Sequence, residues 1–209
     1  MTLPFPGRGL YAVTVDIHDD PAKLAASVRA AIRGGAAVIQ YRCKSEEARR
    51  ATAHLLLTEC RRADVPLIIN DDVELAADIG ADGVHLGRDD ASATDARARL
   101  KPSAIIGVSC YDSVERAERA QQQGASYVAF GRFFPSRSKP NAPCARLETL
   151  VEARRRLRIP IVAIGGITPE NGGQLIAAGA DLLAVIDGVF GNSDPEAAAR
   201  RFRPLFEVS

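Results

Sequence analysis

Short apolar runs alternate with helix-periodic stretches along the whole chain. Tyr11–Val15 is the first run, and Asp20-Pro21 then opens a helical pattern of Leu, Ala, Val and Ile that stops at Gly34-Gly35. Ala37–Arg42 is a second strand, followed by a long amphipathic helix from Ser45 to about Asp64. Pro66–Asn70 and Gly83–Leu86 are the third and fourth strands, with a short helix between them. Ala104–Ser109 is the fifth strand, and the helix that begins at Asp112 runs to Gln123 and is stopped by Gly124. Ser126–Gly131, Pro160–Ile164 and Asp181–Ile186 complete the strands. Between the sixth and seventh strands lie a polar loop, Arg132 to about Ala145, and a helix rich in Glu and Arg. Thr168-Pro169 and Asp194-Pro195 each read as a helix start with proline at the first helical position.

Strands this continuously apolar are expected where both faces are buried, in a parallel sheet. Eight strand–helix units without a linker or composition shift predict a single-domain (β/α)8 TIM barrel over residues 1–209. The rival architecture is a doubly wound open sheet, but no GxGxxG follows the first strand.

Composition narrows the function classes. Lys plus Arg is 27 and Asp plus Glu is 26, so no global charge favours nucleic acid or a membrane surface. No apolar run is long enough to span a bilayer, and the N-terminus lacks a basic segment followed by an apolar core. Cys43, Cys60, Cys110 and Cys144 are widely spaced and fit reduced thiols, which points to a cytoplasmic protein. The oligomeric state is not encoded in any of these features.

A barrel carries its chemistry at the C-terminal ends of its strands. Two of those ends are acidic, Asn70-Asp71-Asp72 and Arg88-Asp89-Asp90. Gathered at one end of a sheet they suit a hard cation such as magnesium; read alone, an acidic loop is more often a solvated turn. Gly165-Gly166 and Gly188 follow the seventh and eighth strands, where barrels hold phosphate on backbone N–H groups and a short helix N-terminus. Glycines there also make plain tight turns. Arg42, Lys44 and Lys139 add cations at other tips; singly they read as surface residues, and together with the acidic tips they imply a polyphosphate held through magnesium. Ser109 either donates to a phosphate oxygen or caps the following helix. The Arg132–Ala145 loop, with Ser136 and Ser138, is either a lid or an ordinary surface loop.

His18, His54 and His85 do not cluster, and His85 reads as a packed strand residue with one hydrogen bond. No histidine base is expected. Cys43 and Cys110 flank site tips without an evident base beside them, so neither is expected to be a nucleophile.

Six segments, in order, resemble the thiamine-phosphate synthase family: Gln40–Lys44, Ile69–Asp71, Asp82–Asp90, Ile106–Ser109, Gly131–Lys139 and Ala163–Ile167. The resemblance implies condensation of a hydroxymethylpyrimidine pyrophosphate with a thiazole phosphate, giving thiamine monophosphate and pyrophosphate, with one Mg2+ per subunit. It implies that Gln40, Arg42, Lys44, Asn70, Ser109 and Lys139 hold the pyrimidine pyrophosphate. Asp71 and Asp90 are then the metal ligands, with Asp72 and Asp89 left to solvent or helix starts. Ser136, Ser138, Gly166 and the backbone at Ile186-Asp187 hold the thiazole phosphate. Arg42, Lys44, Ser109 and Lys139 act on the leaving group. Tyr41, Cys43 and Arg137 come with the same segments as substrate contacts, while the reach of Arg88 and Arg137 stays open.

Four positions depart from the family pattern. Ser136 and Ser138 stand where threonine is common, Cys43 where an acid is frequent, and Asp187 where a serine is usual. A carboxylate aimed at a phosphate repels it, so Asp187 is expected to offer only its backbone N–H. The rival functions are a thiazole tautomerase-like barrel, which needs only the monophosphate half, and a non-catalytic phosphate-ligand-binding barrel.

Overall fold

The computed structural model describes residues 2–15, 20–43, 49–87, 90–135 and 144–207. Eight parallel strands close into a barrel in sequence order, β1 (Gly9–Val13), β2 (Ala36–Tyr41), β3 (Leu67–Asn70), β4 (Gly83–Leu86), β5 (Ile105–Tyr111), β6 (Tyr127–Phe130), β7 (Ile161–Ile164) and β8 (Leu182–Val185). Helices α1 (Pro21–Gly34), α2 (Arg49–Arg62), α3 (Val73–Ile79), α4 (Ala93–Arg99), α5 (Val114–Gln122), α6 (Leu147–Arg156), α7 (Pro169–Ala177), α8 (Asp187–Phe190) and α9 (Pro195–Arg200) surround it. The (β/α)8 expectation is met, and the doubly wound alternative is excluded by the β1–β8 pairing that closes the sheet.

The helix starts follow their local chemistry. Asp20 accepts from the backbone N–H groups of Ala22 and Lys23, satisfying two donors that the first turn of α1 leaves open. Gly35, at φ 108°, ends that helix in a left-handed conformation. The capping residue of α5 is Ser113, which accepts from Arg116 N. That leaves Ser109 out of the capping role, and its side chain belongs to the barrel interior.

The strands bury two separate layers. One lies between strands and helices and includes Leu10, Ile39, Tyr41, Leu67, Ile69, Val84, Ile106, Val128 and Phe130. The other fills the barrel itself and consists of Tyr11, Val13, Val38, Ile68, Ile105, Tyr127, Ala129, Val162, Leu182 and Ala184, with Phe5 packed against it. Successive residues of a strand point to opposite faces, so this inner series fixes the parity of each strand. Continued toward the C-terminal rim, it places Gln40, Asn70, His85 and Ser109 inside, and Tyr41 outside. Tyr41 accordingly packs in the outer layer, where Thr52 of α2 hydrogen-bonds its hydroxyl. It does not line the cavity, which corrects its expected place among the substrate contacts.

Inside the barrel, Tyr127 needs room that only glycine leaves. A Cβ on Gly107 would lie 2.0 Å from Tyr127 Cζ and 2.5 Å from Cε1. The Tyr127 ring is fully buried and stacks on Phe5 at 4.2 Å between centroids, so it has nowhere to move. Gly107→Ala is therefore expected to cost about 2 kcal/mol of stability through overpacking. Chemical denaturation reads this as a lower midpoint at unchanged slope; an unchanged midpoint would show that the ring has another place to go.

Candidate active site

One open cavity of about 1070 Å³ occupies the C-terminal mouth of the barrel. Its lining includes Gln40, Arg42, Cys43, Asn70, Asp71, Asp90, Ser109, Gly166, Ile186 and Asp187. The structure thus brings together every expected site residue that it describes, apart from Tyr41. Lys44, Arg88, Asp89, Ser136, Arg137, Ser138 and Lys139 lie outside the described residues.

The acidic tips converge. Asp71 follows β3 in a left-handed conformation, φ 64°, and its backbone N–H donates to His85 O at 2.8 Å across the β3–β4 pair. Asn70 Nδ2 donates to Asp71 Oδ2 at 2.6 Å and holds that carboxylate in place. Asp90 Oδ2 accepts from Gly87 N at 2.5 Å. A Cβ on Gly87 would sit 2.9 Å from Asp90 Oδ2 and 3.9 Å from Asp71 Oδ1, so the two carboxylates flank the same point. Two convergent carboxylates with open space above them fit a hard divalent cation that completes its shell with water and phosphate oxygens. Asp72 is engaged elsewhere. It accepts from Leu75 N at 2.8 Å as the cap of α3, and pairs with Arg49 at 2.7 Å.

Arg116 of α5 braces this side of the mouth. Its Nε donates to Ser109 O at 2.8 Å, and its Nη2 donates to Gly87 O at 3.1 Å. One guanidinium thereby joins the β5 tip to the loop that carries Asp90. At β2, Thr14 Oγ1 accepts from Arg42 N at 3.0 Å and fixes the backbone from which the Arg42 side chain leaves.

Opposite these residues, the β7 tip is built on Gly165 and Gly166, at φ 105° and 64°. Both lie against the 132–135 segment, whose Phe133 N donates to Ile164 O and whose Phe134 N donates to Gly165 O. A Cβ at Gly165 would lie 2.2 Å from Arg132 Cβ, and one at Gly166 2.3 Å from Pro135 O. The glycine pair is thus required for close backbone packing whether or not a phosphate binds. The short helix α8 begins at Asp187, which is exposed at the rim.

The barrel floor is polar, which the sequence did not signal. Gln40 Nε2 donates to the Tyr11 hydroxyl at 2.9 Å, and the Tyr11 and Tyr127 hydroxyls lie 2.7 Å apart. His85 Nδ1 is 2.9 Å from the Tyr127 hydroxyl, and His85 Nε2 is 2.9 Å from Ser109 Oγ. Burial pushes both phenols well above their ordinary pKa, so they stay neutral. Tyr11, Tyr127 and His85 line the cavity, as do Arg49 and Arg132, and none of the five was expected there. His85 makes two side-chain hydrogen bonds rather than the one expected. Burial holds the Cys110 thiol up at about 12, which removes it as a thiolate nucleophile at neutral pH.

Comparison with known proteins gives a consistent picture. A family model described as thiamine monophosphate synthase matches residues 10–189. The thiamine-phosphate synthase of Methylococcus capsulatus is 57% identical over 210 residues, covering 100% of this chain and 93% of that protein. The enzyme of the same name from Nitrosococcus oceani is 54% identical over 202 residues, covering 95% and 93%. Among solved structures, thiamine phosphate pyrophosphorylase from Pyrococcus furiosus superimposes with a TM-score of 0.85 at 34% identity, covering 95% of each chain.

Proposed function

The chain belongs to the thiamine monophosphate synthase family and is a thiamine-phosphate synthase, a transferase, and we propose that its barrel mouth performs the reaction with the residues described above. The observation that carries the assignment is the convergence of Asp71 and Asp90 on one point of a cavity that Ser109 and Arg42 also line. Asp71 and Asp90 would hold Mg2+. When bound, the ion would neutralise charge on a pyrophosphate group.

The chain's own residues divide the remaining work. Gln40, Asn70 and Ser109 orient the pyrimidine pyrophosphate, and Arg42, with Lys44 and Lys139 assigned from sequence, faces the charge that grows on the departing pyrophosphate. The C–O bond to the pyrimidine methylene breaks with its electron pair leaving on the pyrophosphate. The thiazole nitrogen lone pair then forms the new C–N bond. That nitrogen carries no proton, so bond formation needs no general base. This accords with a site in which His85 is engaged in the barrel floor.

Gly166 and the Ile186-Asp187 backbone, with Ser136 and Ser138 from sequence, seat the thiazole phosphate and so aim the nitrogen. A cytoplasmic location accords with the family's biosynthetic role. No helix among the described residues is long and apolar enough to cross a membrane.

Mixing both substrates with Mg2+ and converting the product to fluorescent thiochrome tests the reading. Thiamine monophosphate with an equal amount of pyrophosphate is the expected result. Binding of both substrates without product would mark a ligand-binding barrel instead.

A further inference from the structure

Five side chains cross the barrel floor in a single hydrogen-bonded file: Gln40, Tyr11, Tyr127, His85 and Ser109, each link between 2.7 and 2.9 Å. The file has a direction. Gln40 meets Tyr11 through Nε2, which can only donate. Tyr11 therefore accepts there, and the Tyr127 oxygen at 2.7 Å is the acceptor left for its single O–H. Tyr127 has accepted from Tyr11 and spends its own O–H on His85 Nδ1, which must then be the unprotonated nitrogen. A neutral imidazole with a bare Nδ1 carries its proton on Nε2 and donates it to Ser109 Oγ. The Ser109 hydroxyl has accepted, and its hydrogen is left to point into the cavity that Ser109 lines.

We propose that Gln40, Tyr11, Tyr127 and His85 are positioning residues that set the polarity of Ser109, so that it meets its ligand as a hydrogen-bond donor. Ser109 without such a file would be a free rotor, equally able to turn its lone pairs toward an anion. With it, the donor is arranged before the substrate arrives, and no reorganisation accompanies binding. Burial makes the arrangement firm. Tyr11 and Tyr127 are at most 1% exposed, and water does not compete for their hydroxyls. Gly107 takes part indirectly, since only glycine there admits the Tyr127 ring. The reversed file, with every donor turned round, requires Gln40 to present Oε1 to Tyr11 and leaves Ser109 donating to His85 with its lone pairs facing the cavity.

The proposal rests on the assignment of Ser109 to the pyrophosphate, and two measurements test it separately from that assignment. The first is 15N NMR of the imidazoles in the ligand-free protein, with the His85 signals identified by their loss in His85→Gln. The Nε2–H tautomer is expected; an Nδ1–H tautomer means the reversed file and overturns the proposal. The tautomer is read on the wild-type protein and does not depend on turnover.

The second is a double-mutant cycle on thiamine monophosphate formation. Tyr127→Phe is expected to lower kcat/KM about tenfold, the worth of one ordinary hydrogen bond. In the Ser109→Ala background the same change is expected to cost less than about twofold, because the group it orients is gone. Equal losses in the two backgrounds would show that Tyr127 acts on the barrel as a whole, and would overturn the proposal. If the wild-type protein forms no product, the assigned reaction fails while the tautomer still decides the direction of the file.

Discussion

Asp71→Ala and Asp90→Ala are each expected to lower kcat/KM for thiamine monophosphate formation on the order of 10³-fold, comparable to deleting a principal charge-stabilising contact. The two carboxylates flank one point beside Gly87, from the tips of neighbouring strands. Removing either leaves a single anionic ligand for a cation that commonly takes one or two carboxylates and is otherwise held by water and phosphate. Each carboxylate is also anchored, Asp71 by the Asn70 amide and Asp90 by the Gly87 N–H.

Initial rates against Mg2+ concentration, with calorimetric Mg2+ titration of the same folded variants, are the check. Both readouts should fall together. Asp72→Ala is the contrast. It removes the cap of α3 and an ion pair with Arg49 in the cavity wall, which predicts about 1 kcal/mol of lost stability with the Mg2+ dependence of turnover retained. An Asp71→Ala variant with wild-type Mg2+ dependence would sink the ligand assignment.

The contrast among these aspartates shows what a sequence can and cannot convey. The eight strands were legible because short apolar runs and helix signals alternate with few interruptions, and the acidic tips were legible because polar residues end such runs. Parity was not. A strand buried on both faces is near-continuously apolar, and the unbroken apolar run Ala36–Ile39 does not say whether Gln40 or Tyr41 faces the barrel. Tyr41 was expected at the cavity only because it came with the Gln40–Lys44 segment, and it lies in the outer layer, while Tyr11, Tyr127 and His85 passed for ordinary core.

Gly107 held the missing signal, since a glycine inside a strand marks a close approach, here by the Tyr127 ring. Arg49 and Arg116 were illegible for another reason. Each sits on a helix surface where arginine is commonplace, and only the three-dimensional path brings Arg116 to the carbonyls of Ser109 and Gly87. The Gly165-Gly166 pair was legible as a site feature, yet the structure adds a packing reason for it that the sequence could not show.

That packing reason makes Gly166→Ala the sharpest probe of the other half of the site. The residue sits at φ 64°, where a side chain costs about 1–2 kcal/mol. Its Cβ would meet Pro135 O at 2.3 Å and Phe134 Cβ at 2.8 Å, and the first of these is backbone that cannot rotate away. The 133–135 segment must shift, straining the hydrogen bonds of Phe133 and Phe134 to the β7 tip. The proposed seat of the thiazole phosphate moves with it.

Gln40, Asn70, Asp71 and Ser109 stand on or just beyond β2, β3 and β5, whereas Gly166 follows β7. The expected result is a rise of about 100-fold in KM for the thiazole phosphate, equivalent to about 3 kcal/mol of lost binding, with KM for the pyrimidine pyrophosphate nearly unchanged. Steady-state kinetics with each substrate varied in turn gives both values, and circular dichroism confirms that the barrel is intact. A selective rise for the pyrimidine substrate would mean that the two halves of the mouth are assigned the wrong way round. A parallel rise for both would mean that the glycine serves packing alone.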